Sequence, residues 1–314
     1  MRIAVIDCGT NTFNLIIIEL LDPKKYTKVY STRIAVKLGE GAINKGYIAR
    51  AAFVRGLDAI RIFKEKFEEH KVEHALAFAT SAIRDASNGE EFVREIKQTF
   101  GIYIDVIDGN REAELIYFGI REAVKLGDHI SLIMDIGGGS NEFILANAEK
   151  IFWKQSFNIG AARLLERFQH SNPITVEEKT AIDAYLTEQL QPLVKACEKF
   201  KPTELVGSSG AFESLIEMIH SELGGEPLTG DKTEYEPDLS SHFKITGLIK
   251  KSTLEERRNI KGLLPIRFDM IVISCIMVDH ILNLLNLEKM RVSTYSLKEG
   301  ALAEYLQYLQ QKEN

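Results

Sequence analysis

The chain of 314 residues is 45% hydrophobic and 27% charged, enough to bury a sizeable core and, at this length, to form two domains rather than one. Its formal net charge of -6 argues against a nonspecific nucleic-acid binder, because such binding neutralises many phosphates with a basic surface. The only long apolar stretch, 271–287, is interrupted by Asp279 and His280 and reads as a buried helix rather than a membrane span.

Residues 1–3 run straight into a strand pattern without the charged start, apolar middle and small-residue cleavage site of a secretory leader. Cys8, Cys197 and Cys275 lack the paired spacing of zinc or redox sites and read as reduced core thiols. Together these features predict a cytoplasmic protein with neither a nucleic-acid nor a membrane partner.

In chain order, residues 2–8 and 12–21 are β-rich runs joined by Gly9-Thr10-Asn11, a hairpin pattern, and a third strand is expected over 29–38. Apolar residues at Phe53, Leu57, Ile60, Phe63 and Phe67 recur at helical spacing within 47–71. A strand at 74–80, a helix at 88–100, a strand at 102–107 and a helix at 110–125 continue the alternation, which predicts an α/β fold with helices packed on a mixed sheet. The opening pattern returns at 131–146, where Asp135-x-Gly137 echoes Asp7-x-Gly9 about 128 positions earlier. Two related domains are therefore predicted, 1–125 and 126–314. Helices are expected in the second at 158–169, 175–200, 210–220, 240–259, 266–286 and 297–311, with an irregular loop over 221–238. The final helix is expected to pack back on the first domain, and its apolar face is a candidate dimer surface. A local excess of basic residues spans 244–267, read preferentially as a solvated helical face rather than a substrate track.

Gly9, Gly137, Gly138 and Gly139 suit a phosphate held by backbone N–H groups, and Thr10, Asn11 and Ser140 add short side-chain donors. Any one such turn is equally an ordinary hairpin; two, each after an aspartate ending an apolar strand, favour the phosphate reading. Asp7 and Asp135 are costly next to apolar runs, and a divalent cation would offset that cost. Magnesium takes one or two carboxylates together with water and phosphate oxygens, so Asp135 with Glu142 is a candidate pair. A turn-initiating role for Asp135 and an exposed strand position for Glu142 are the alternatives. Glu112 lies where a strand enters a helix; the pattern favours helix capping, while general-base catalysis is the functional alternative. Arg84, at another strand-to-helix passage, suits either a phosphate fork or a salt bridge to a neighbouring acid. The chain has no Gly-Lys-Ser/Thr phosphate loop, no Gly-x-Gly-x-x-Gly and no His-Glu-x-x-His, and Ser208 and Ser209 lack the setting of a nucleophile elbow.

Four ordered segments, 7–15, 79–86, 109–115 and 135–142, are similar to the motifs of the exopolyphosphatase and guanosine pentaphosphate phosphohydrolase family. The resemblance implies two actin-like, ribonuclease H-like domains with an active-site cleft between them. It also implies Glu112 as the base that activates water and Asp135 and Glu142 as magnesium carboxylates. Asp7, Gly9, Thr10, Asn11, Arg84, Gly137, Gly138, Gly139 and Ser140 would hold the phosphate chain or metal-bound water. The implied activity is removal of terminal phosphate from inorganic polyphosphate, with guanosine pentaphosphate as the alternative substrate. A small-molecule kinase and a nucleotide-binding sensor are more remote readings of the same fold. The chain departs from the family at Gly207-Ser-Ser-Gly-Ala211, where a Gly-x-Gly-Gly-Thr turn is usual, and resembles the short form that lacks an added helical region.

Overall fold

The computed structural model describes residues 1–22, 25–230 and 232–313. The first sheet opens as an antiparallel meander of β1 (Arg2–Cys8), β2 (Thr12–Asp22) and β3 (Lys25–Ala35). Helix α1 (Arg50–Glu69) crosses to β4 (His74–Ala79), which runs parallel to β1. The short α2 (Ser81–Arg84) and then α3 (Gly89–Phe100) lead to β5 (Asp105–Val106), parallel to β4, and α4 (Gly109–Ala123) leaves this half. The strand order is β3-β2-β1-β4-β5.

The second sheet repeats the plan. Strands β6 (Ser131–Ile136), β7 (Asn141–Ala146) and β8 (Ile151–Phe157) form its meander. Helices α5 (Ala161–Phe168), α6 (Val176–Gln189) and α7 (Gln191–Phe200) cross to β9 (Leu205–Ser208), parallel to β6. There follow α8 (Gly210–Leu223), β10 (Glu234–Tyr235), α9 (Leu239–Lys251), α10 (Leu254–Arg258) and α11 (Ile271–Leu284). Strand β11 (Met290–Ser293) pairs parallel with β9, and α12 (Leu297–Glu313) comes last. The order is β10-β11-β9-β6-β7-β8, so with β10 set aside each sheet is a three-strand meander extended by two parallel strands.

Both faces of the central strands are covered, which explains why they read as unbroken apolar runs. On β1, Ala4, Ile6 and Cys8 face α1 and α3, while Ile3 and Val5 join the layer formed by α4 and α12. On β6, Leu132, Met134 and Ile136 face the core of the second half, while Ile133 joins that same middle layer. The two sheets therefore share one apolar cluster, built on Ile116 and Ile120 of α4 and Leu302 and Leu306 of α12. Close crossing of these helices requires glycine: a Cβ on Gly300 would stand 1.7 Å from the Leu115 carbonyl oxygen, and one on Gly119 would stand 2.2 Å from that of Ser296.

Several expected boundaries move. The strand expected at 29–38 ends at Ala35, and residues 36–38 instead turn under the first hairpin, where Val36 and Leu38 donate to the carbonyls of Asn11 and Thr10 at 3.0 and 2.7 Å. The helix expected at 175–200 is two, because Pro192 sits in the first turn of α7 and removes a backbone donor there. The one expected at 240–259 breaks where Thr253 and Glu256 form a capping box that starts α10. That expected at 266–286 starts only at Ile271, after a single 3-10 turn at Pro265–Arg267. Within 221–238, α8 continues to Leu223 and β10 supplies an edge strand, while position 231 lies outside the described residues. Strands β8, β9, β10 and β11 were not anticipated. The apolar stripe of α12 is buried within the chain through Leu297, Ala301, Leu302 and Leu306, so the face that suggested dimerisation is consumed against α4. Among the described residues, no helix is long and apolar enough to cross a membrane.

Candidate active site

Strand parity brings the acids together. Asp7 continues the Ile3, Val5 face of β1, Asp135 the Ile133 face of β6, and Glu142 the Ile144 face of β7, so all three point to the middle layer that carries α4. The two hairpins correspond residue for residue. Asp7 is paired with Asn14 and Asp135 with Glu142, and the turns close with Gly9 N–H donating to Thr12 O at 3.1 Å and Gly137 N–H to Ser140 O at 3.0 Å.

The turns also touch each other. A Cβ on Gly138 would lie 2.9 Å from Thr10 Cβ, and one on Gly139 would lie 2.5 Å from Ser81 Oγ. None of Gly9, Gly137, Gly138 and Gly139 adopts a positive φ, so close approach, not left-handed backbone, is what demands glycine here. The carbonyls of the second loop are taken up by the start of α5, with Gly160, Ala161 and Ala162 donating to Gly139, Gly137 and Gly138 at 3.2, 2.9 and 2.9 Å. Among the described residues, the amides of Gly138 and Gly139 have no protein acceptor.

Asp7, Gly9, Thr10, Asn11, Glu112, Asp135, Gly137, Gly138, Gly139 and Ser140 all line one cleft, which encloses about 110 Å³. Glu142 lies just behind it, fully buried, with Oε1 accepting from Ser156 Oγ at 2.7 Å and Oε2 without a partner. Arg84 does not line the cleft: its Nη1 donates to Glu112 Oε2 at 3.1 Å and to the Ile107 carbonyl at 3.0 Å, and its Nε lies 3.4 Å from Asp85. Capping of α4 falls to Asp108, whose carboxylate accepts from the amides of Asn110 and Arg111 at 2.8 Å each, so Glu112 is not engaged as a cap.

Crowding of buried acids shifts their protonation upward. Burial pushes Glu112 well above the usual carboxylate range, the Glu142 charge adds to this, and Arg84 opposes it. Burial, then the charge of Asp135, brings Glu142 to about 7. Asp7 is raised to about 6 by burial against the opposing pull of Lys298 and Asn14. Asp135 is also raised by burial, although Ser296 Oγ donates to its Oδ2 at 2.6 Å. The charge of Asp135 acts on Asp7, Glu112 and Glu142, and that of Glu142 on Glu112.

Further cleft residues are not singled out as site residues in the sequence: Asn14, Arg33, Ser296 and Lys298, together with Arg267, which reads only as part of the basic stretch. Asn14 could have been found by laying the two hairpins on each other, since it occupies the place of Glu142. Within the basic stretch 244–267, Arg267 reaches the cleft, whereas Lys250 pairs with Asp279 and Arg257 is buried, donating to the carbonyls of Ser252 and Phe268.

Two sheets of repeated topology, with paired glycine turns and a carboxylate-lined cleft, define an actin-like fold. The chain belongs to the Ppx/GppA phosphatase family, whose pattern matches residues 17–309. It is similar to the crystal structure of an exopolyphosphatase from Cytophaga hutchinsonii, with 41% identity, 98% of each chain covered and a TM-score of 0.95. The Aquifex aeolicus family member is 25% identical, again over 98% of each chain, with a TM-score of 0.79. Among curated relatives, Exopolyphosphatase 1 of Mycobacterium tuberculosis is 24% identical over 98% of this chain and 88% of its own length. The guanosine-5'-triphosphate,3'-diphosphate pyrophosphatase of Vibrio vulnificus is 26% identical over 98% of this chain and 60% of its own length.

Proposed function

We propose that this protein is an exopolyphosphatase that removes the terminal phosphoryl group of inorganic polyphosphate by attack of water. The observation that carries the reading is Glu112: a buried, uncapped carboxylate at the mouth of two touching glycine hairpins, held by Arg84 rather than by its own helix. Its raised affinity for protons makes it a stronger base than a solvated carboxylate, suited to take the proton of an attacking water. The free amides of Gly138 and Gly139, with Gly9, Thr10, Asn11 and Ser140, hold the terminal phosphate and the charge that develops on it. Asp7 orders water near that group, and Arg84 serves by fixing and charging Glu112.

The donor set fits magnesium. Glu142 Oε2 is buried without a partner, Asp135 stands opposite it in the hairpin register, and no group of three or more His, Cys, Asp or Glu at ligand spacing occurs among the described residues. That composition suits a cation that takes one or two carboxylates and completes its shell with water and substrate oxygens. Asp135 and Glu142 would hold it, and when bound it supplies charge neutralisation on the phosphate oxygens. In this reading, 1–125 and 126–314 are the two units that bound the cleft. Three buried, unpaired cysteines support a reducing cytoplasmic setting.

The test is phosphate release from polyphosphate and from guanosine pentaphosphate, with and without magnesium and with no acceptor present. Release from polyphosphate at the higher kcat/KM supports the proposal. Faster release from guanosine pentaphosphate assigns the alternative substrate, and transfer only to an added acceptor assigns a kinase.

A further inference from the structure

We propose that Arg33 is a positioning residue of the hydrolytic site: through Asn14 it fixes the carboxylate of Asp7 beside the first glycine turn, and its ion pair with Glu213 makes that setting depend on the second half. The inference rests on the hydrolytic reading above and adds to it a residue that acts without touching substrate.

Asp7, Asn14 and Arg33 stand side by side across β1, β2 and β3, with Asp7 opposite Asn14 and Asn14 opposite Arg33 in the register. Residues directly opposite on neighbouring strands share a face. Here each bonds the next: Arg33 Nε donates to Asn14 Oδ1 at 3.0 Å, and Asn14 Nδ2 donates to Asp7 Oδ2 at 3.0 Å. A guanidinium only donates and a carboxylate only accepts, so an amide between them satisfies both in one orientation alone. Arg33 therefore sets which way the Asn14 amide faces, and Asn14 in turn holds one oxygen of Asp7. The other, Oδ1, is left toward the turn, where a Cβ on Gly9 would stand 3.9 Å from it.

The corresponding row of the second sheet is Asp135, Glu142 and Ser156, with Ser156 Oγ donating to Glu142 at 2.7 Å. There the middle position carries a second acid. In the first row it carries an amide and the outer position a cation, so that row holds one carboxylate in place instead of gathering two. The contacts continue past β3: Arg33 Nη2 lies 3.2 Å from Glu213 Oε2, in the first turn of α8, and all four residues line the cleft. With its charge matched by Glu213, Arg33 is poorly suited to grip phosphate itself. Its planar fork serves both partners at once, Nε to Asn14 and Nη2 to Glu213, a geometry that the point charge of lysine does not reproduce.

The experiment measures steady-state phosphate release from polyphosphate with magnesium by the full chain carrying Arg33→Gln, Arg33→Lys, Asn14→Ala or Glu213→Gln, and by Asn14→Ala combined with each of the others. Arg33→Gln should lower kcat by about ten- to a hundredfold with KM little changed, and Arg33→Lys should not restore it. On the Asn14→Ala background neither change at Arg33 should cost anything further, because the two residues act as one unit. Glu213→Gln enters the same chain from its other end, so it should also lower kcat, and only while Asn14 is present; it decides the matter if Arg33→Gln does not fold. A loss carried by KM, a loss that adds to that of Asn14→Ala, or full recovery in Arg33→Lys overturns the positioning role, and an unchanged kcat in Glu213→Gln overturns the dependence on the second half. Failure of the hydrolytic reading would show separately, as undiminished phosphate release by Glu112→Gln.

Discussion

Glu112 is basic because its neighbours make it so: burial and the charge of Glu142 raise its proton affinity, and Arg84 alone restrains the rise. Glu112→Gln should lose about a hundredfold to ten-thousandfold in kcat while still binding substrate, measured by phosphate release and calorimetry. Replacing Arg84 with glutamine removes the opposing charge, so the acidic limb of the kcat/KM profile should move to higher pH, and Arg84→Lys should move it part of the way back. The acids also link stability to pH. Asp7 and Glu142 are raised from 3.8 to about 6 and from 4.5 to about 7, so each favours the folded state at low pH, and that contribution is lost as pH rises through the folded values. Added magnesium should therefore raise the melting temperature more above about pH 8 than below about pH 5, read by thermal unfolding at both. At this scale the sequence was legible where a charge interrupts an apolar run, as at Asp7 and Asp135. It was opaque at Ser296, Lys298 and Arg267, because nothing in their local pattern says which cleft they reach.

The elements owe their arrangement to parity and close approach. Two strands of matching register aim their acids at one layer, and two helices can occupy that layer only because Gly119 and Gly300 let their backbones meet. Gly300→Ala should overpack this crossing, destabilise the fold by about 1–3 kcal/mol and lower activity, seen as a reduced denaturation midpoint with impaired phosphate release. Long periodic helices and the first hairpin were readable in advance, since amphipathic spacing and turn chemistry are local. The short β9 and β11 were not: four residues each, they are made strands by pairing with β6 and with each other, a long-range cause. Their register is reinforced by Arg291, whose Nε donates to Glu204 at 2.9 Å and whose Nη1 bonds Glu234 at 2.6 Å. Arg291→Met should strand a buried carboxylate and cost about 3–5 kcal/mol, measured by denaturant unfolding.

Across the molecule, the two halves are tied at several places around the cleft. Arg163 joins the Gly139 carbonyl at 2.8 Å to Asp85 at 2.6 Å and to the Ile43 carbonyl at 3.0 Å, while Lys37 meets Asp269 at 2.6 Å and Arg33 meets Glu213. The duplicated plan was visible as a repeat of Asp-x-Gly, but these ties join positions far apart in the chain and left no pattern to read. Helix α12 is the largest tie of all. The hydroxyl that steadies Asp135 belongs to Ser296, 161 positions downstream, and the helix beginning at the next residue packs on α4, which carries Glu112. On a ribosome, the acids and both glycine turns emerge well before that closing helix. Until it arrives, the apolar flank of α4 has no cover and Asp135 lacks its hydroxyl donor, so the site is completed only by the last part of the chain to be synthesised.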